Sequence, residues 1–476
     1  MSFERIGEEC GVFGIYDNND GLDVARLTYY GLYALQHRGQ ESCGIAVNND
    51  GVVNSYKGMG LVNEVFRNSE ILENMKGNIA VGHVRYSTTG ASLERNAQPL
   101  VLKYQKGTLA LAHNGNVANS ESIRNKLESE GAIFQTTVDS EIIAYMIARE
   151  RLKCKSIEEA VLNVLPNIKG ASSLVVMSPK KLIATRDIYG LRPLCIGKLK
   201  NSYVVASETS AFNAIGAEFL REIEPGEVVC ITEKGITSEK TGAKCGKNIC
   251  IFEYIYFARP DSTIQNVNVY EARKEGGRIL ARQYPVEADM VIGVPDSGLV
   301  AAMGYAEESG IPYGEGFVKN RYIGRTFIKP NQSERELAVK LKLNVLKDNV
   351  KGKRIVMIDD SIVRGTTSAN IINMLKAAGA KEVHMRVCAP TFLYPCYFGT
   401  DIPDQENLIA CKHSVEEIRQ MIGADSLGFF KVENLKDMVK GLDGNFCDAC
   451  FTGKYPVELE KNKIDSISSR FELQGV

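Results

Sequence analysis

The most specific chemistry in this chain lies at two adjacent aspartates closing an apolar run, Arg354-Ile-Val-Met-Ile-Asp359-Asp360-Ser361-Ile362-Val363-Arg364-Gly365-Thr366-Thr367. A buried strand would deliver both carboxylates at its end, and a loop of Arg, Gly and hydroxyls then opens a helix. The amides of such a loop and the positive end of the helix can hold a phosphate. The carboxylates suit ribose hydroxyls, directly or through Mg2+, because hard oxygen ligands favour that ion. A second loop, Val294-Pro295-Asp296-Ser297-Gly298, suits the pyrophosphate end of the same ligand, with Ser297 near the metal. Alone it would be an ordinary strand-to-helix turn. The basic stretch 319–329, with Arg325 beside Gly324, could close as a lid over a polyanion and exclude water. The same composition also describes a solvated basic loop.

The N-terminal half carries a different chemistry. Cys10 precedes the apolar run Gly11-Val12-Phe13-Gly14-Ile15 and so starts a strand. If residues 1–9 were removed, Cys10 would carry a thiol and an α-amine with a pKa of ~8, able to act as its base. A cysteine there could equally be a core residue. Asn114 with the Gly115 amide could form an oxyanion hole. Arg85 and Asp139 have the charges to clamp the α-carboxylate and α-amine of a free amino acid. Among the 12 cysteines, Cys250, Cys396 and the Cys447-x-x-Cys450 pair also stand out. Four thiolates can hold an iron–sulfur cluster or a zinc ion, and unliganded cysteines pack as small hydrophobes. Spacing alone does not choose among these.

These groups need two kinds of scaffold. In the first half, short apolar runs near residues 11–15, 44–47, 78–82, 109–112, 172–177, 182–185, 194–197 and 203–207 predict strands. Helical patterns fall at 24–37, 120–130 and 140–152. Strands without regular helical alternation predict an antiparallel α+β layer fold. From residue 271 the rhythm changes, with helices at 271–282, 298–309 and 366–378 between strands at 290–294, 354–358 and 382–387. That alternation predicts a parallel α/β sheet with ligands at the carboxyl ends of its strands. The length of 476 residues, at about 150 per domain, allows two or three domains.

Composition narrows the class. Hydrophobic residues at 44% and charged residues at 24% describe a globular chain rather than a disordered one. The 57 basic against 58 acidic residues give a net charge of −1, which argues against nucleic-acid binding through bulk charge. No apolar run approaches the ~18 residues of a membrane helix, and the N-terminus lacks a signal-peptide core. The expectation is a cytoplasmic enzyme with reduced cysteines.

The segment Arg354–Thr367 resembles the phosphoribosyl pyrophosphate (PRPP) signature of type I phosphoribosyltransferases. The Cys-Gly-Val-Phe-Gly-Ile start, Gln36-His37-Arg38-Gly39-Gln40-Glu41, Gly82–Thr88, His113–Asn116 and Val138–Glu141 together resemble the class II glutamine amidotransferases of the N-terminal nucleophile fold. In that order the two halves resemble the amidophosphoribosyltransferase family, over nearly the whole chain. The resemblance implies a four-layer αββα glutaminase at 10–240, an α/β phosphoribosyltransferase domain at 260–410 and a helical or loop tail at 411–476. It implies a propeptide of residues 1–9 removed by self-cleavage, with Cys10 as nucleophile and Asn114 and Gly115 as oxyanion hole. Arg85 and Asp139 would bind glutamine, with Arg38 as an orienting residue. Ser297, Asp359 and Asp360 would hold Mg2+–PRPP, Ser361 to Thr367 the 5′-phosphate, and Arg325 would contact substrate. Gly298 stands where a hydroxyl residue would be expected. One branch of the family implies a structural [4Fe-4S] cluster on Cys250, Cys396, Cys447 and Cys450.

The implied reaction releases ammonia from glutamine and passes it to PRPP, giving phosphoribosylamine, pyrophosphate and glutamate at the start of purine synthesis. Purine nucleotides would inhibit, and a homodimer or homotetramer is expected, with no nucleic-acid or membrane partner. Three other readings compete. An amino-sugar amidotransferase would need a sugar-isomerase half, against which Asp359–Thr367 argues. A catalytically inactive PRPP or nucleotide sensor is opposed by the intact Cys10, Arg85, Asn114 and Asp139 set. An iron–sulfur redox protein would need a flavin, haem or nicotinamide motif that the sequence lacks.

Overall fold

The computed structural model describes residues 10–86, 92–320, 343–400, 402 and 404–458. Two antiparallel sheets stack face to face in the N-terminal half. The first has seven strands, in the order Glu218–Glu222, Cys195–Leu199, Ser202–Ala206, Gly11–Tyr16, Ile79–Arg85, Ser42–Asn49 and Val52–Met59. The second has six, Gly235–Lys240, Glu227–Thr232, Lys181–Arg186, Gly170–Ser178, Gly107–Val117 and Leu100–Tyr104. The strand Gly11–Tyr16 is buried along its whole length, because both of its faces are covered. Val12 and Tyr16 point into the inter-sheet core with Ala112, Val175 and Val205. Phe13 and Ile15 point outward, under Ala25 and Leu32 of the helix Val24–Ala34. That period of two is what a strand's alternating side chains require.

A second helical layer covers the other sheet. Ile143 and Ile147 of Asp139–Arg151 and Val161 of Ile157–Val164 pack on Leu109, Leu111 and Val176. The result is the expected αββα stack. The sheets approach so closely that a Cβ on Gly14 would stand 2.7 Å from a methyl of Val175. Across the sandwich His83 Nε2 meets the His113 carbonyl at 2.9 Å.

The C-terminal half holds a four-stranded parallel sheet, Met290–Gly293, Arg354–Asp359, Glu382–Val387 and Ser426–Phe429. Alternation again assigns the faces. Val356 and Ile358 meet the helices Val269–Gln283 and Leu299–Ser309, whereas Ile355 and Met357 meet Thr366–Ala377 and Val415–Ile422. One boundary is corrected here. The segment assigned to a tail from residue 411 supplies the sheet's fourth strand, pairing Ser426 with His384, so the domain extends beyond 410. A short hairpin, Phe317–Lys319 with Leu343–Val345, also escaped the sequence, its partners being three residues each.

All twelve cysteines are free of disulfides. Among the described residues no helix is long and apolar enough to cross a membrane.

His83 makes one pH prediction. Burial drives its imidazole down to about 3, so it is neutral when folded, while the unfolded chain protonates it near ~6.5. Its contribution is therefore fully present above ~6.5 and is lost as pH falls toward the folded value, at most about 1.4 kcal/mol per pH unit. Chemical denaturation at pH 7 and pH 5 should show this slope, and His83→Gln should flatten it. An unchanged slope in the variant would refute the assignment.

Candidate active sites

Cys10 begins the central strand of the seven-stranded sheet, and the Gly11–Val84 register sets Arg85 at the adjoining strand end. Its Sγ lies 3.5 Å from the Tyr86 carbonyl. The turn after helix Val24–Ala34 closes over this corner, where a Cβ on Gly39 would stand 2.6 Å from the Arg85 amide nitrogen. Arg85 itself is buried, with a nitrogen donating to Glu41 at 2.7 Å.

Asn114 and Gly115 lie on the strand Gly107–Val117 of the facing sheet. Asn114 is fully buried, yet neither its amide nitrogen nor its oxygen has a hydrogen-bond partner. An unmet buried amide costs about 1–3 kcal/mol, which a bound oxyanion would offset. Gly115 has φ +141°, and a Cβ there would stand 2.1 Å from the Ala171 carbonyl oxygen, so only glycine fits. Asp139 opens the helix Asp139–Arg151 and accepts from the Val117 amide at 2.7 Å, tying it to the end of the Asn114 strand. Burial opposes its charge, but His113 and the amides of Val117 and Ser140 hold its carboxyl below the usual range.

Arg38 meets the backbone of Cys10. Its side chain is fully buried and donates from Nε to the Cys10 carbonyl at 3.0 Å, and to Glu208 and Glu253 at 2.6–2.9 Å. An orienting role for Arg38, as expected, would act through this contact with the backbone of Cys10. Burial opposes its charge, yet Glu253 and then Glu208 raise the guanidinium further. Glu208 is held well down by His37 and Arg38 against its own burial. Glu208, Glu253 and Arg192 were missed in the sequence, since isolated charges carry no motif.

The second site sits at the carboxyl ends of the parallel strands. Asp359 and Asp360 are buried at the end of Arg354–Asp359, and Ser297 donates to Asp360 at 2.5 Å. Ser361 donates to the other Asp360 oxygen at 2.5 Å. Ile362 and Val363 anchor the loop by side chains sunk into the cores on opposite sides of the sheet, while Arg364 is exposed. Gly365, at φ +83°, turns the chain into the helix beginning at Thr366 and Thr367. These loop amides and hydroxyls suit a phosphate. The neighbouring loop has a cis peptide at Pro295–Asp296, and Lys319 pairs with Asp296. Gly298 is explained by crowding: a Cβ would stand 2.3 Å from the Ile358 carbonyl oxygen. Arg325, most of the proposed lid and residues 1–9 lie outside the described residues.

The four singled-out cysteines line one cavity, with Leu191, Phe398 and Ile402. Parallel strands pair Cys250 with Cys447, and the Phe398 amide donates to Cys396 Sγ at 3.4 Å. Burial pushes Cys447 up to about 12 and Cys450 well above its ordinary value. Among the described residues, no three His, Cys, Asp or Glu side chains converge to hold a metal ion.

A nucleophile-type glutaminase fold joined to a phosphoribosyltransferase fold defines a glutamine-dependent phosphoribosyl-transferring enzyme. Family models agree: a glutamine amidotransferase domain matches residues 83–214 and a phosphoribosyl transferase domain matches 272–390. Amidophosphoribosyltransferase of Methanocaldococcus jannaschii is 49% identical over 96% of this chain and 99% of its own length. The Bacillus subtilis protein of that name is 48% identical, over 96% of each chain. A solved B. subtilis glutamine PRPP amidotransferase, complexed with ADP and GMP, superposes with a TM-score of 0.88 at 49% identity, covering 95% of this chain and 98% of its own. This chain belongs to the amidophosphoribosyltransferase family and catalyses the first committed step of purine biosynthesis.

Gly298→Ala should displace the strand carrying the aspartates. Steady-state kinetics should show the KM for PRPP raised about tenfold or more, with either glutamine or ammonia as donor. An unchanged KM would show that the loop yields without harm.

Proposed function

We propose that Cys10, exposed as an N-terminal residue by removal of residues 1–9, hydrolyses glutamine and that the ammonia attacks PRPP held at Asp359–Thr367. The unpartnered, fully buried amide of Asn114 carries this reading. The α-amine of Cys10 takes the thiol proton, and the sulfur attacks the side-chain amide carbon of glutamine. Asn114 and the Gly115 N–H stabilise the oxyanion, Arg85 holds the α-carboxylate and Asp139 the α-amine. Collapse with proton return expels ammonia and leaves a thioester, which water hydrolyses to glutamate. Ammonia then bonds to C1 of PRPP as the bond to pyrophosphate breaks.

In the second site Ser297, Asp359 and Asp360 would hold Mg2+, which when bound supplies charge against the departing pyrophosphate. The donor set fits that ion, being oxygen-only and buried. Ser361, Thr366 and Thr367 offer hydroxyls, and Ile362, Val363, Arg364 and Gly365 backbone amides, to the 5′-phosphate. The two sites would be coupled, so that glutamine is hydrolysed quickly only when PRPP is present.

The cysteine cavity supports the iron–sulfur branch of the family. Four thiols lining one cavity are a donor set for an iron–sulfur cluster. A [4Fe-4S] group on Cys250, Cys396, Cys447 and Cys450 would be structural. The ADP and GMP in the B. subtilis neighbour support feedback by purine nucleotides here. Assembly as a homodimer or homotetramer completes the reading.

Two measurements test it. Asn114→Ala should lower glutamine-dependent turnover on the order of 10²- to 10³-fold while ammonia-dependent synthesis stays near the parent rate. Equal loss of both activities would sink the oxyanion role. Intact mass of anaerobically purified protein should lack residues 1–9 and, under native conditions, carry one [4Fe-4S] group. A zinc adduct or an unprocessed active chain would overturn the respective claims.

A further inference from the structure

The charges that fix Cys10 come partly from outside the glutaminase fold. Glu253 stands on the π-helical turn Glu253–Phe257, in the segment leading from the stacked sheets to the parallel one. Its two oxygens accept from both terminal nitrogens of Arg38 at 2.8 and 2.9 Å. The Nε of the same guanidinium reaches the Cys10 carbonyl at 3.0 Å. Both side chains are fully buried. The turn is held rigidly. The Ala258 amide closes it onto the Glu253 carbonyl at 3.1 Å, and Arg273 donates to the carbonyls of Tyr254, Tyr256 and Ala258 at 2.8 Å each.

We propose that Glu253 is a positioning residue for Cys10, acting through Arg38. The nucleophile is thereby oriented by a carboxylate belonging to the segment that leads into the phosphoribosyltransferase domain. A guanidinium is a planar fork, so fixing its two terminal nitrogens fixes the direction of Nε. Without the Glu253 charge, Glu208 alone holds the fork from one side, and Nε can swing off the Cys10 carbonyl. The thiol belongs to the same residue as that carbonyl and moves with it, and misplacement by about 1 Å can lower turnover on the order of 10²-fold. Arg85 and Asp139 lie on other elements, so glutamine affinity is left alone.

The inference rests on Cys10 being the nucleophile, and the experiment separates the two. Glu253→Gln and Arg38→Lys are assayed in the holoenzyme with glutamine and with ammonia as donor, beside Cys10→Ala. Both variants should lose about tenfold or more in glutamine-dependent kcat, with KM for glutamine within about threefold and ammonia-dependent kcat within about twofold of the parent. Unchanged kcat in both variants, a raised KM alone, or parallel loss of both activities or of folded protein would overturn the positioning role. Glutamine turnover surviving in Cys10→Ala would overturn the nucleophile reading and the proposal with it.

Discussion

The surroundings of Cys10 depend on one buried cluster of charge. Arg38, Arg192, Glu208 and Glu253 have fully buried side chains, with N–O separations of 2.6–3.6 Å. Each ion taken from water costs several kcal/mol unless its partners are well placed, and removing one partner of such a pair typically costs about 3–5 kcal/mol. The cluster is therefore stable only when the elements that supply its members are all docked. Two of them, Arg38 and Glu208, belong to the helix-covered face of the first sheet. Glu253 arrives from the turn beyond the second sheet, and Arg192 from the loop after Lys181–Arg186. Docking the halves and orienting Cys10 are thus one event.

The same interface reaches further. Arg192 donates to the Phe398 carbonyl at 2.8 Å and Asn116 to the Tyr397 carbonyl at 2.9 Å, so the glutaminase grips the loop that carries Cys396. Glu208 also accepts from the Arg259 amide at 3.0 Å and the Ser262 hydroxyl at 2.7 Å, holding the chain just beyond the π turn. On its other side that turn is bound to Arg273, whose charge is depressed by burial and favoured by Asp360 and Glu208. An ammonia-transferring enzyme needs its two pockets registered against each other, and this packing supplies the registration.

Local signals made much of this legible. Alternating or continuous apolar runs marked the central strands, because strands covered on both faces are apolar over most of their length, as 11–15, 79–82 and 355–358 are. The paired aspartates, the glycines at 115 and 365 and the small-polar turns marked the sites, since each answers a local backbone or ligand requirement. What stayed hidden is long-range. The edge strand Val52–Met59 is half-exposed, with only a weak pattern, and the strand Ser426–Phe429 is four residues long, recruited by its partner Glu382–Val387. Glu208 and Glu253 look like ordinary surface acids until the fold buries them together. Arg38 was legible as a neighbour of Cys10, but sequence order cannot say that its guanidinium meets the Cys10 backbone carbonyl.

The cysteine cavity follows the same logic of shared junctions. Its walls come from the strand Asn248–Cys250, the loop at 396–402, the strand Asn445–Cys447 and the helix Ala449–Thr452, with Leu191 and Arg192 from the glutaminase side. Each of these pieces is short, between three residues and a single turn or loop, and none has enough apolar surface to fold alone. Phe252, Phe392 and Phe451 pack into one aromatic group behind it, with ring centroids 5.2–6.4 Å apart, which fixes the wall on that side. The buried thiols on the cavity side are driven toward neutrality by their surroundings, so a cationic inorganic group would have to displace their protons as it binds. Binding would then be coupled to pH and to the docking of every segment that contributes a sulfur. Since Cys250 lies three residues before Glu253, the segment that closes this cavity also closes the charge cluster behind Cys10.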